Sequence, residues 1–148
     1  MPVSLRRMQE SDLDQVLAIE TQSYPVPWTR GIFSDCLKVG YPAWVLLDGE
    51  TIIGYILISV GANEAHLLNI CIAPAQRRKG LARKLLSDMI NLLQEKHVDT
   101  LFLEVRVSSK PAIALYEAMG FEQIGLRKDY YKTQSGKEDA VTYKMDLS

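Results

Sequence analysis

Three basic side chains and a glycine share one turn of this chain, in the segment Gln76-Arg77-Arg78-Lys79-Gly80-Leu81-Ala82, and together they suit the chemistry of holding phosphate. Glycine lets a backbone approach a ligand closely, and the amphipathic pattern that follows puts a helix N-terminus there, with unpaired N–H groups and positive partial charge. The ligand implied carries several negative charges. An isolated RRKG would read as a solvated basic turn, but the apolar strand before it and the glycine within it favour the anion site. A nucleotide P-loop fits poorly, because its Gly-Lys-Ser/Thr ending is absent.

Glu104 interrupts the otherwise apolar run LFLEVRV. A carboxylate in a buried strand is costly unless paired, and desolvation strengthens it as a proton acceptor, so it is a candidate general base. A strand-end glutamate paired with Arg106 or with solvent fits the same pattern, and the residues alone leave both open. Tyr116 shares a helical stripe with Ala112, Leu115 and Met119, which by periodicity makes it a core aromatic. Cys36 and Cys71 lie in apolar patterns without a paired motif and read as reduced, inert intracellular thiols rather than a disulfide, a metal site or an acyl carrier. His66 and His97 carry no partner pattern and read as ordinary structural or surface residues. No metal site is expected.

With 17 Lys+Arg against 18 Asp+Glu, the formal net charge is -1, which excludes a polybasic nucleic-acid binder and makes any anion site local. Length, 148 residues, fits one compact soluble domain over 1–148 with a sizeable core. No apolar run approaches membrane-spanning length, and the start MPVSLRRMQE lacks the apolar stretch of a signal peptide, so a cytosolic protein without membrane or direct nucleic-acid partners is expected. A monomer is expected as well.

The elements that must position these residues alternate between strand and helix patterns, without repeats or linkers, as in an α/β layered domain. A strand around Val3 to Arg7 leads to Ser11 and Asp14, a capping-box-like pair, and a helix with Leu13, Val16 and Leu17 on one stripe that ends near Ser23. Tyr24-Pro25-Val26-Pro27-Trp28 cannot continue it. Thr29 starts a short second helix through Ile32, Phe33, Cys36 and Leu37. Trp44 to Leu47, the turn Asp48-Gly49, Ile52 to Val60 and Glu64 to Ile72 give three consecutive strands. Leu81, Leu85, Leu86, Met89, Leu92 and Leu93 then recur at helical spacing after the basic turn. Thr100 to Val107 is β-rich, Pro111 opens a helix that Gly120 stops, and a strand, the polar loop around Ser135-Gly136 and a last strand from Ala140 to Met145 complete the chain.

That order, with the phosphate loop between the fourth strand and the third helix, resembles the GCN5-related N-acetyltransferase (GNAT) superfamily over nearly the whole chain. LLNICIAP, QRRKGLA, LEVRVSS and ALYEAMGF resemble its RimI-like branch, the ribosomal-protein alanine N-acetyltransferases, as do the PxPW segment near Trp28, the pair Tyr130-Tyr131 and the late GKEDA. The resemblance implies an α/β (α+β) fold with a central mixed, mostly antiparallel twisted sheet of about seven strands flanked by four helices. It implies acetyl-CoA as cosubstrate, its pyrophosphate wrapped by backbone N–H groups of Arg78, Lys79, Gly80, Leu81, Ala82 and Arg83. Ala82 replaces a common glycine of the superfamily, for which modest tightening of the loop is expected.

Ile70, Cys71 and Ile72 match the strand whose backbone contacts the thioester and pantetheine arm, which requires that strand to splay from its neighbour. The resemblance assigns Glu104 as general base and Tyr116 as general acid toward the leaving thiolate, a phenol of pKa about 10 being protonated at neutral pH. An N-terminal amine, of pKa about 7.7 to 8.0, needs only a weak base. Ser109 stands where asparagine often contacts the cofactor. Trp28, Tyr130 and Tyr131, with Glu138 and Asp139 nearby, match the region that receives the acceptor, the N-terminus of small ribosomal subunit protein number eighteen, which offers a small first residue followed by basic ones. The rival readings are a lysine or small-amine acetyltransferase of the same fold and a non-catalytic acetyl-CoA-binding module, the latter opposed by the presence of both Glu104 and Tyr116.

Overall fold

The computed structural model describes residues 3–148. Seven strands form one sheet: β1 (Val3–Arg7), β2 (Ala43–Asp48), β3 (Thr51–Gly61), β4 (Glu64–Ile72), β5 (Thr100–Arg106), β6 (Glu122–Lys132) and β7 (Lys137–Asp146), in the order β1-β2-β3-β4-β5-β7-β6. Only β4 and β5 run parallel; every other neighbouring pair is antiparallel. The helices are α1 (Leu13–Ser23), α2 (Arg30–Val39), α3 (Leu81–Glu95) and α4 (Lys110–Ala118). The expected mixed, mostly antiparallel sheet with four helices is therefore the fold observed. β7 is longer than the Ala140–Met145 expected, because Lys137 and Glu138 continue to pair with β6 across the Ser135-Gly136 turn.

Alternation along the central strands divides the core into two layers. Val45, Leu47, Tyr55 and Leu57 pack with Leu13, Val16 and Ile19 of α1 and Phe33 of α2. Their sequence neighbours Leu46, Ile56 and Ile58 face the other way, into a layer with Leu85, Leu86, Met89 and Leu93 of α3 and Tyr116 of α4. A strand buried on both faces reads as a continuous apolar run, which is what IIGYILIS is. Among the described residues no helix is long and apolar enough to cross a membrane.

The helix starts follow local chemistry, with one correction. Thr29 caps α2, its hydroxyl accepting the Ile32 N–H at 3.3 Å. The capping pair before α1 is not Ser11 and Asp14 but Gln9 and Asp12, around a 3-10 turn at Glu10–Asp12. Asp12 accepts the Gln9 N–H at 2.8 Å and both guanidinium nitrogens of Arg6 at 2.8 Å. That bidentate partner lies on β1, so a tertiary contact selects the cap, and Asp14 is left exposed beside Arg30.

One irregularity makes the site. β4 and β5 pair only at Glu64–Thr100, Ala65–Leu101 and His66–Phe102. Beyond that, β4 stays with β3 as far as Ile72 while β5 stays with β7 as far as Arg106. The β3–β4 register jumps between Leu57, opposite Asn69, and Ile58, opposite Leu67, which leaves Leu68 as an extra residue on β4. Such a bulge bends its strand and increases its twist, and here β4 turns away from β5. The sheet opens between them.

Candidate active site

A cavity of about 1040 Å³ fills that opening, walled by β4, β5, the turn before α3, the first turns of α4, the Trp28 loop and the Tyr130-Tyr131 corner. Every candidate site residue lines it except Lys79, whose ammonium turns back to Gln76 Oε1 at 2.9 Å. The Lys79 side chain is therefore a brace within the loop, and the contact expected of this residue rests on its backbone N–H alone.

The basic turn divides its cations between structure and cavity. Arg77 donates to the Ile72 carbonyl at 3.0 Å and to Ser23 Oγ at 2.9 Å, tying the turn to β4 and α1. Arg78 (φ 66°) and Gly80 (φ 76°) both adopt left-handed backbone, which wraps the chain around the N-terminus of α3. Among the described residues no side chain caps that terminus, so its first N–H groups remain available to an anion. Ala82 lies inside the first turn of α3, half-buried against the core, where alanine is the best helix former and no special dihedral is required. The tightening expected there has no structural basis.

Backbone geometry separates the three β4 candidates. The Ala73 N–H donates to Ile53 O at 2.8 Å, so alternation gives Cys71 a hydrogen-bonded pairing with Tyr55 and turns Ile70 and Ile72 away from β3, toward the opening. Two side chains confirm the direction: Tyr24 Oη donates to Ile70 O at 2.8 Å, and Arg77 reaches Ile72 O. Cys71 keeps its place on the wall, but its peptide groups face β3 and its thiol is buried, which corrects the expectation of three equivalent backbone contacts. Gly54 holds β3 close here; a Cβ on it would stand 2.7 Å from Ile72 Cδ1 and 2.9 Å from Cys71 O.

Glu104 and Tyr116 face the same cavity from β5 and α4. The Glu104 side chain is 6% exposed; Oε1 lies 2.6 Å from His66 Nε2, and Oε2 is buried without a hydrogen-bond partner among the described residues. Arg106 does not pair with it but with Glu138 at 3.0 Å, which removes the Arg106 alternative; His66, read as an ordinary residue, is the partner instead. Burial alone pushes the Tyr116 hydroxyl up to about 12, and Phe121 packs edge-on against its ring at 5.6 Å between centroids. Tyr131 is raised still further, by burial first and then by Tyr130 and Glu104, so it stands near the candidate base. Ser109 lines the cavity at the start of α4 without capping the helix, leaving its hydroxyl uncommitted there.

The opposite wall is held by both local and long-range contacts. The Trp28 backbone N–H donates to Glu20 Oε2 at 2.9 Å, and Glu20 Oε1 accepts Tyr55 Oη at 2.6 Å and Asn69 Nδ2 at 3.0 Å. Glu20 is 1% exposed. Its position on the buried stripe of α1, seven residues after Leu13 and four after Val16, is the sequence signal for this role. Trp28 packs on Phe33 at 5.1 Å, Tyr130 meets Tyr131 edge-on at 5.0 Å, and the Arg106 guanidinium lies 4.4 Å from the Tyr131 ring centre. Glu138 and Asp139, expected to attract a basic acceptor, are engaged within the chain: Glu138 by Arg106 and the Ser108 N–H, Asp139 by the Asp129 N–H at 2.9 Å. Charge recognition by that pair is corrected accordingly.

The arrangement joins a basic turn at a helix N-terminus, an open strand edge, a buried carboxylate and a buried phenol in one cavity, parts that suit moving an acyl group from a phosphate-bearing carrier to an amine. Comparison with known proteins agrees. A family model described as the acetyltransferase (GNAT) family matches residues 13–121. The [ribosomal protein bS18]-alanine N-acetyltransferase of Escherichia coli (strain K12) is 34% identical over 145 residues, 98% of each chain. Its counterpart of the same name in Haemophilus influenzae is 36% identical over 138 residues, covering 93% of this chain and 94% of its own. The crystal structure of the ribosomal-protein-S18-alanine N-acetyltransferase from Escherichia coli matches at a TM-score of 0.93 and 33% identity, covering 99% of this chain and 95% of that one.

Proposed function

The chain belongs to the acetyltransferase (GNAT) family, and from that premise we propose that it transfers the acetyl group of acetyl-CoA to the α-amine of the N-terminal alanine of small ribosomal protein bS18. The observation that carries this reading is the single cavity shared by the anion-binding turn and the aromatic wall, with Glu104 and Tyr116 between them. Near-complete mutual coverage with relatives of that name supports the acceptor.

In this reading the N–H groups of Arg78 through Arg83 hold the pyrophosphate, with positive charge from Arg78 and Arg83. The backbone groups of Ile70 and Ile72, turned into the opening, guide the pantetheine arm, and an N–H of that edge steadies the thioester oxygen as charge develops on it. Trp28, Tyr130 and Tyr131 wall the acceptor so that a small first residue fits and its amine meets the thioester; Ser109 lends a hydroxyl to the carrier. Glu104 takes a proton from the attacking nitrogen, the carbon–sulfur bond breaks, and the Tyr116 hydroxyl protonates the departing thiolate. Raised by burial, that phenol keeps its proton until it is needed. Transfer is direct, since the Cys71 thiol is buried and turned to the Ile72 carbonyl. The protein works as a cytosolic monomer, one domain over residues 1–148, independent of membrane and nucleic acid.

The acceptor is tested by mass analysis of an alanine-led peptide with the basic sequence that follows in bS18, offered with its α-amine free or blocked. Acetylation of the free peptide only is expected. Continued transfer to the blocked peptide would move the acceptor to lysine side chains.

A further inference from the structure

Behind the candidate base stands a residue outside the cavity. His66 lies on β4 opposite Phe102, at the last paired position before the strands separate, and Glu104 is two residues farther along β5 on the same face. Its ring reaches the carboxylate across the sheet while its own side chain stays 34% exposed and off the cavity wall. The two carboxylate oxygens therefore differ: Oε1 is engaged at 2.6 Å by His66 Nε2, and Oε2 is buried with no partner among the described residues. An ionised carboxylate offers only lone pairs, so a contact this short requires a hydrogen on Nε2.

We infer that His66 is a positioning residue for the reaction: its Nε2–H holds Glu104 by Oε1 and leaves Oε2 as the oxygen that takes the amine's proton. This rests on Glu104 acting as base. As the nitrogen–carbon bond forms, the N–H bond breaks and an O–H bond forms at Oε2; the Nε2 hydrogen stays on His66 throughout. A lone strand glutamate could rotate both oxygens among several rotamers, and the histidine selects one before substrate arrives. The basic groups around the pair are already committed. Arg106, on the same strand, is engaged by Glu138. Lys144 of β7, opposite Phe102, is paired with Asp146 at 3.6 Å, and Thr142 of β7 stands opposite Glu104. Tyr131 of β6 is a neutral phenol, and β3 presents only Ser59 opposite His66. Glu64 lies two residues before His66 on β4, exposed.

The test compares His66→Phe, which keeps the ring volume and removes the donor, with His66→Gln, which keeps an N–H donor. Both are measured for acetylation of the alanine-led peptide by acetyl-CoA, beside Glu104→Gln. His66→Phe is expected to lower kcat roughly tenfold or more, short of the roughly 10² to 10⁴ of a general base itself, with both KM values unchanged. His66→Gln is expected to regain most of the rate. An unchanged rate in His66→Phe, with Glu104→Gln strongly impaired, overturns the role of His66 alone. Equal losses in both His66 variants also overturn it, leaving a packing residue. If Glu104→Gln keeps full activity, the base assignment fails and the inference with it.

Discussion

The two walls of the cavity are built on opposite principles. On one side, the turn from Gln76 to Arg83 and the open edge of β4 present backbone: left-handed residues at Arg78 and Gly80, a helix terminus without a side-chain cap, and the peptide groups of Ile70 and Ile72. On the other, Trp28, Tyr130 and Tyr131 present side chains, held by other side chains: Glu20 accepts the Trp28 backbone N–H, Phe33 packs on the Trp28 ring, and Arg106 lies over the Tyr131 ring. Backbone recognition is tolerant of side-chain change and suits a carrier common to a whole family. Side-chain recognition varies with few substitutions and suits an acceptor particular to a few members. Glu104 and Tyr116 stand between, one from each flanking element.

Removing the proposed base tests the junction of the two walls and has the largest expected effect. Glu104→Gln should lower kcat by roughly 10² to 10⁴ while acetyl-CoA affinity, measured by titration calorimetry, stays nearly unchanged. Tyr116→Phe follows, with a loss of roughly 10² in kcat and both KM values held. In the parent protein this phenol, raised to about 12, stays protonated through the range where an ordinary tyrosine ionises, so kcat measured from pH 9 to about 10.5 should show no fall from its titration. A basic limb that appears in this range and vanishes in Tyr116→Phe would contradict the assignment.

Each wall can then be weakened separately. Gly80→Val forces a β-branched residue into left-handed backbone, a cost of about 1–2 kcal/mol or more, so acetyl-CoA affinity should fall roughly tenfold or more while the peptide KM is held. Glu20→Gln leaves a carboxylate's three hydrogen-bond donors facing an amide with one acceptor oxygen. That mismatch costs about 1–3 kcal/mol, lowering Tm by about 2–4 °C per kcal/mol, and raises the peptide KM a few-fold without changing the acetyl-CoA KM. If both variants moved both KM values alike, the division between the walls would not exist.

The same division explains what could be read from the sequence. β1, β4, α3 and the start of β5 fall where periodicity places them, and the anion turn is legible because glycine, basic residues and a helix start adjoin in the chain. The exchange of Ser11 and Asp14 for Gln9 and Asp12 follows from Arg6, a partner on β1 that no local pattern announces. The pairing of His66 with Glu104 depends on the register of two parallel strands, and the opening depends on one bulged residue, Leu68. Nor does spacing reveal that Lys79 folds back to Gln76, or that Arg106 has already taken Glu138. Residue types that announce chemistry were visible; which of them the fold leaves free was not.

The most direct test is a coenzyme A joined through an acetyl bridge to the α-nitrogen of the alanine-led peptide, compared with an isomer joined through a lysine ε-nitrogen of the same peptide. If the two walls meet at an α-amine, the α-linked compound competes with both acetyl-CoA and peptide and binds roughly 10²-fold or more tighter than the isomer. Tighter binding of the ε-linked isomer, or competition with acetyl-CoA alone, would contradict transfer to an N-terminal alanine in this cavity.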